Sequence, residues 1–439
     1  MTTPSRPTAR GHVAHAPVHA LQGRDPRVDF FRGLAFVIIL IAHIPANEVA
    51  RIIPARWGLS DATEMFVFMS GYAAGIAFGG VYLKVSWTLG TARTLFRTWQ
   101  VYVGHLLLFF FLAMLLAAAN KLFDTRDYVG FLNLGYFFEH GTDAIVGLFT
   151  LHYVPNYFDI LPMYIVILLL MPVFMGLGRI HPWLALGFCV ALYAYNWVTA
   201  IGDLPGEIQP PAEVRPESDR RWFFNPFGWQ LIFFTGFALA IGWLKPPRFS
   251  WPLMGVAIAY VLLCIPLGHW QWRNALIEDW PAFGSFWDLF YAKSVDDQPA
   301  FAKTNLWIAR YAHFLALAYI TVTVLHGREH KLKTGLGAMI SQCGRQSLPV
   351  FLFGMVFSQL AGIMLDQINT NHWDIPTWQV VLVNLFWIGM LVGLAYLLGW
   401  LQKSPWKAVK RQPAPQHAPA HAAAPAPATP PERAPSPAE

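Results

Sequence analysis

The chain has 439 residues, 55% of them hydrophobic and only 13% charged, with a formal net charge of +6 and a mean hydropathy of +0.41. Many apolar runs approach the roughly 20 residues a helix needs to cross a bilayer, so composition excludes an ordinary soluble enzyme and predicts an all-α polytopic membrane protein. Nothing resembles a nucleic-acid module, and Cys189, Cys264 and Cys343 lack the paired spacing of a disulfide framework, a metal site or an activated thiol.

The first 24 residues are rich in Arg, His, Pro and Ala and have no apolar core, which predicts a disordered tail rather than a cleavable signal. The next stretch, RDPRVDFFRGLAFVIILIAHIPAN, places Arg32 and His43 in an otherwise apolar helix. Asp25 and Pro26 have the chemistry of an N-cap and a first helical residue, and Pro45 stops the run. Over the interval from Arg32 to His43 the helix turns about 1100°, leaving the two side chains about 20° apart and about 16 Å apart along the axis. They share one face. Asp29 and Phe36 lie on the same stripe, and Asp29 is placed to pair with Arg32 at i,i+3. A charge in a bilayer costs at least about 2.5 kcal/mol, which points to a use. The plain alternative is that Arg32 snorkels to the headgroups and His43 is a satisfied core histidine.

Ten spans are predicted, at roughly 26–44, 64–83, 101–119, 161–178, 183–201, 228–244, 251–267, 306–325, 346–365 and 377–401. With the N-terminus cytoplasmic, roughly two-thirds of all Lys and Arg fall on the inner side, as the positive-inside rule favours. The outer side then carries most carboxylates, among them Glu207, Glu213, Asp219, Asp296 and Asp297. Both termini are expected inside, Arg32 near the inner leaflet and His43 well across.

Asp61 and Glu64 open the second span as a capping box; the functional alternative is that one of them fixes the tautomer of His43. Ser70 and Gly71 in FVFMSGY provide small residues for a close helix approach. In the inner segment TARTLFRTWQVY, Arg93 and Arg97 are four residues apart and suit phosphate, unless they serve the positive-inside rule alone. Arg345 and Ser347 raise the same question. Arg310 and His313 form an intramembrane i,i+3 pair. Arg310 needs a partner, for which Asp159 and the acceptor cavity are candidates. The long outer loops 120–160, 202–227 and 268–305 carry Trp222, Phe223, Phe224, Trp270, Trp272, Trp280 and Trp287, suited to an interfacial belt or to stacking on sugars. From Ser404 the chain becomes Pro/Ala-rich, too poor in large apolar residues to pack. A domain at 25–403 between tails at 1–24 and 404–439 is the expected organisation.

The Arg32-to-His43 pattern resembles the first-span signature of the membrane acyltransferase-3 superfamily. DFFRGLAFVIILIAHIP, DATEMFVFMSGY, DILPMYI, FFNPFGWQL and GRQSLPVF resemble its OpgC branch more closely. The resemblance implies a multi-pass protein of the bacterial inner membrane that moves an acyl group, succinyl in this branch, from cytoplasmic acyl-CoA to hydroxyls of osmoregulated periplasmic glucans. It implies His43 as the catalytic histidine and Arg32 as its partner, with Arg93 and Arg97 at the family's basic positions. The residues themselves add Asp61 and Glu64 as catalytic partners, Arg345 at the donor, and Arg310, His313 and Asp159 at the acceptor or acyl terminus. Acyl-CoA is expected as a substrate, with no permanently bound cofactor and no metal. A transporter lined by Arg32, His43, Glu64 and Arg310 is the rival reading.

Overall fold

The computed structural model describes residues 25–202, 220–268, 270–285, 303–368 and 376–406. The tails at 1–24 and 407–439, the carboxylates Glu207, Glu213, Asp219, Asp296 and Asp297, and Trp287 lie outside the described residues. Helices dominate, and the protein is an all-α polytopic membrane protein.

Eleven helices carry the architecture: α1 Pro26–His43, α2 Ala62–Ala74, α3 Trp87–Leu122, α4 Ile160–Ile180, α5 Pro182–Gly202, α6 Pro226–Ala240, α7 Trp251–Gly268, α8 Ile308–Leu325, α9 Gly335–Arg345, α10 Ser347–Ile368 and α11 Thr377–Gln402. All but α9 coincide with the ten apolar stretches of the sequence. Among the described residues, seven helices are long and apolar enough to cross a membrane; α2 is counted with its continuation to Lys84. Helix α1 carries Arg27, Asp29 and Arg32, and α6 has only 15 residues.

Local chemistry sets the starts of the helices that matter here. The Asp25 side chain accepts from the Arg27 amide, with Pro26 in the first turn. Asp61 and Glu64 form a complete capping box at α2, and Asn225 accepts from the Phe227 amide at α6. Each satisfies donors that a helix start leaves open. Helix α2 runs into a π-helical turn at Gly75–Gly79 before continuing to Lys84.

Helix α3 corrects the predicted third span. It has 36 residues, about 54 Å at 1.5 Å per residue, so Arg93 and Arg97 sit on the same rigid rod as the apolar run. Its outward side exposes Leu107, Phe111 and Met114, whereas Leu108, Leu112 and Leu116 are buried. An apolar exposed side is expected where lipid is the solvent.

Glycine permits two close crossings. A methyl at Gly71 would collide with the Phe233 carbonyl of α6, and one at Gly236 with the Phe68 carbonyl of α2. Likewise Gly33 and Gly344 bring the backbones of α1 and α9 together. Small residues let these helix backbones approach closely.

Candidate active site

The site is built on α1, which presents Arg32 to a cavity near one end and His43 to the loop before α4 at the other. The cavity has a volume of about 590 Å³ and is lined by residues of α1, α2 and its π-turn, α3, α4 and α10. Its polar side chains include Asp29 and Arg32 from α1, Ser70 from α2, Arg97 from α3, Tyr164 from α4 and Ser347 from α10. Phe78 and the alanines of the π-turn region give it an apolar wall. The sequence pattern therefore brings Arg32, Arg97 and Ser347 to one chamber.

Arg93 and Arg345 sit beside that chamber. Arg93 is exposed and lies over the Phe78 ring at 5.6 Å, on a residue that lines the cavity. Arg345 is absent from the lining and instead meets Asp29 at 3.4 Å, with its own side chain 52% exposed. Its partner Asp29 lines the cavity, so Arg345 stands at the rim and is held there by a charge pair with a buried carboxylate.

At the far end of α1 the His43 Nδ1 lies 2.7 Å from the Ile39 carbonyl oxygen. A carbonyl can only accept, so Nδ1 carries the proton and Nε2 carries the lone pair. The Tyr157 ring meets the imidazole edge-on, with centroids 4.7 Å apart. Tyr157 holds φ at 71°, a left-handed conformation uncommon for a bulky residue and found where surrounding structure enforces it. Gln359 of α10 donates to the His43 carbonyl at 3.3 Å and ties the end of α1 in place.

Asp61 and Glu64 do not fix the His43 tautomer; the Ile39 carbonyl does. The two carboxylates serve another network. Glu64 Oε1 accepts from Arg310 Nε and Nη2 at 2.8 Å each, and Glu64 Oε2 accepts from the Asp61 amide. Asp61 meets Lys303 at 2.7 Å and Arg310 at 3.4 Å. Burial works against the Asp61 charge, but Lys303 and Arg310 outweigh it and hold the carboxyl below its usual range. Two cations thus face two carboxylates, with Glu64 fully buried. The partner of Arg310 is this pair rather than Asp159, and its guanidinium is committed to them.

His313 and Asp159 likewise have local structural partners. The Ser60 amide and hydroxyl both contact His313 Nδ1, at 3.2 and 2.7 Å, which binds α8 to the loop before α2. Asp159 accepts from the Phe223 amide at 2.8 Å. Burial pushes its carboxyl up to about 6. His313 Nε2, by contrast, is buried with no hydrogen-bond partner among the described residues. Trp222, expected in an interfacial belt or a sugar platform, is buried and donates to the Leu151 carbonyl; Trp272 and Trp280 are exposed.

Sequence reasoning missed Tyr157, because its approach to His43 depends on how the loop before α4 folds back. The non-glycine left-handed turn in VPNYFD carries no local signal beyond Asn156. Lys303 was missed for a similar reason: its partner, Asp61, is 242 positions away. Among the described residues no group of three or more His, Cys, Asp or Glu is arranged to hold a metal ion.

No curated protein and no solved structure matches the chain. A family model described as OpgC protein matches residues 24–403, a range that contains the cavity, both ends of α1 and the Arg310 cluster. The chain belongs to the OpgC family.

Proposed function

We propose that this protein transfers a succinyl group from cytoplasmic succinyl-CoA to hydroxyls of osmoregulated periplasmic glucans, with His43 as general base. Membership of the OpgC family implies an acyltransferase for periplasmic glucans; the donor, the acyl group and the base are the reading added here. The observation that carries it is the state of His43: Nδ1–H is committed to the Ile39 carbonyl, which leaves Nε2 as a base on the helix stripe that also presents Arg32 to the cavity.

In this reading Arg97 and Arg32 hold the phosphates and arm of acyl-CoA in the inner cavity, and Arg93 assists from its rim. The thioester is carried up the α1 stripe. His43 Nε2 takes the proton of a glucan hydroxyl as its oxygen bonds to the acyl carbon; the C–S bond then breaks and the imidazolium returns the proton to the CoA thiolate. The Ile39 carbonyl stabilises the transient imidazolium through Nδ1–H, while Tyr157 holds the ring in plane. Such general-base assistance contributes about 100- to 10,000-fold. Direct transfer is preferred over a ping-pong route through an acyl group on the protein, His43 itself included, because among the described residues no Ser or Cys nucleophile is paired with the His43 ring, whose hydrogen bond goes to the Ile39 carbonyl.

Sealed vesicles of known orientation test the scheme. Succinyl-CoA should support transfer only from the face bearing Arg32, glucan should be modified only on the face bearing His43, and no label should remain on protein when glucan is omitted. Transfer with both substrates confined to one face, or retained label, would overturn it.

A further inference from the structure

Three of the helices that line the Arg32 cavity carry a phenylalanine four residues from a lining residue, in the direction of His43. On α1 the pair is Arg32 and Phe36, on α10 it is Ser347 and Phe351, and on α2, which runs the other way, it is Ser70 and Phe66. Four residues rise about 6 Å, a little over one turn, so each ring sits about one turn beyond its cavity residue along the helix, outside the lining itself. The direction is fixed by contacts at the far ends: Gln359 of α10 reaches the His43 carbonyl, and Glu64 of α2 lies in the Arg310 cluster.

The rings meet. Phe66 and Phe351 are stacked, with centroids 5.8 Å apart and planes 12° apart. Phe36 joins them at 5.5 Å from Phe66 and 6.4 Å from Phe351. All three are buried, at 2%, 8% and 4% exposure for Phe36, Phe66 and Phe351. Phe36 to His43 is a further seven residues, about 10 Å on nearly the same face. The cavity and the catalytic nitrogen are therefore on opposite sides of an aromatic layer.

We propose that Phe36, Phe66 and Phe351 form the constriction through which the acyl end of the donor must pass, and that they set its size and keep water from the thioester. The inference rests on the acyl-transfer reading above. Stacked rings exclude water as an apolar layer does, yet their side-chain torsions can rotate to admit a slender arm without moving the backbone. When a ring is truncated, water takes the place of the glucan hydroxyl. Its oxygen bonds to the acyl carbon, the C–S bond breaks, the CoA thiolate takes up a proton, and the acyl group leaves as the free acid.

The test uses the full chain in sealed vesicles, with Phe66→Ala and Phe351→Ala, and with the leucine variants of both positions carrying the test if an alanine variant fails to accumulate. Release of CoA thiol from succinyl-CoA without glucan, relative to transfer with glucan, should rise at least about tenfold, and benzoyl-CoA should become a donor. Phe351→Trp should lower transfer while succinyl-CoA affinity stays within about twofold. Independently of activity, a charged methanethiosulfonate added from the Arg32 side should label His43→Cys only when a ring is truncated. Unchanged labelling would overturn the constriction. Opened labelling with an unchanged hydrolysis ratio and unchanged donor range would overturn its role in guarding the thioester. If the parent transfers nothing, the acyl-transfer reading falls, whereas the labelling still decides whether the rings close the path.

Discussion

Two regions place arginine and carboxylates within the helical bundle, and they differ in what surrounds the charges. Around Arg310 every charge has a close opposite: Glu64 at 2.8 Å, and Lys303 on Asp61 at 2.7 Å. Around Arg97 the neighbours are a glutamine of its own helix, Gln100 at 3.1 Å, and an open chamber of about 590 Å³. A buried charge among matched partners is an architectural device; one that faces a chamber is placed to meet a ligand. The bare residue types do not separate these cases.

The largest effect should fall on neither region but on His43. His43→Ala should lower transfer by about 100- to 10,000-fold, measured as label moved from succinyl-CoA to glucan, with the protein still folded in the membrane. His43→Gln can still donate to the Ile39 carbonyl yet offers no base, so it should fall as far. Near-wild-type turnover in either variant would remove the general base and leave the comparison without a centre.

Next comes the closed cluster. Arg310→Met leaves Glu64 buried beside Asp61 with one cation, Lys303, for two carboxylates, and should cost about 3–5 kcal/mol, the usual penalty for breaking a buried pair from one side. Thermal unfolding in detergent should show it. Adding Glu64→Gln should recover much of the loss, because the orphaned charge is then gone. Recovery of stability together with full transfer would establish the cluster as structural; a selective loss of glucan affinity at preserved stability would instead return Arg310 to the acceptor site.

What could be read from the sequence divides along a similar line. The Asp25 cap and the Asp61–Glu64 box depend on neighbours within one turn, and the stripe of Arg32, Phe36 and His43 on a single unbroken helix; the caps and the helix are present. The start of α3 was misplaced because hydropathy marks where a rod enters lipid, not where it begins; TARTLFRTWQ has no proline to interrupt the helix. The partners of Arg310 and the fold of Tyr157 over His43 depend on contacts far apart in the chain, such as the 246 positions between Glu64 and Arg310. The stacking of Phe66 on Phe351 is likewise a contact between residues far apart in the chain. Only the packing of α1, α2 and α10 sets their rings side by side.

A smaller effect separates the open chamber from its rim. Arg97→Ala should weaken succinyl-CoA binding by about 1.5–3 kcal/mol, the range for a lost hydrogen bond to a charged group, and leave glucan affinity alone. The difference should shrink as salt rises, since screening already weakens a partly exposed phosphate contact in the parent. Equal donor affinity in parent and variant at low salt would take Arg97 out of the donor site and leave the chamber without its main cation from α3.

The smallest effect belongs to Arg345, and it sharpens the comparison most because the residue type is the same. Its guanidinium is half exposed, lies outside the cavity lining and reaches the Asp29 carboxylate at 3.4 Å. Asp29 is buried, but a contact this long to a half-exposed guanidinium is weak, about 1 kcal/mol, and is screened by salt. Arg345→Ala should therefore move the thermal midpoint slightly and change the KM for succinyl-CoA by less than about threefold, whereas Arg97→Ala changes it by tenfold or more. Arg345→Lys should restore even the small stability loss, because a single charge contact does not need the planar fork of arginine. A donor KM that rises as steeply for Arg345→Ala as for Arg97→Ala would mean that the two arginines grip the same phosphates. The Asp29 contact would then be a resting arrangement exchanged for the ligand, and pairing in the unliganded molecule would cease to distinguish structural cations from binding ones on this face.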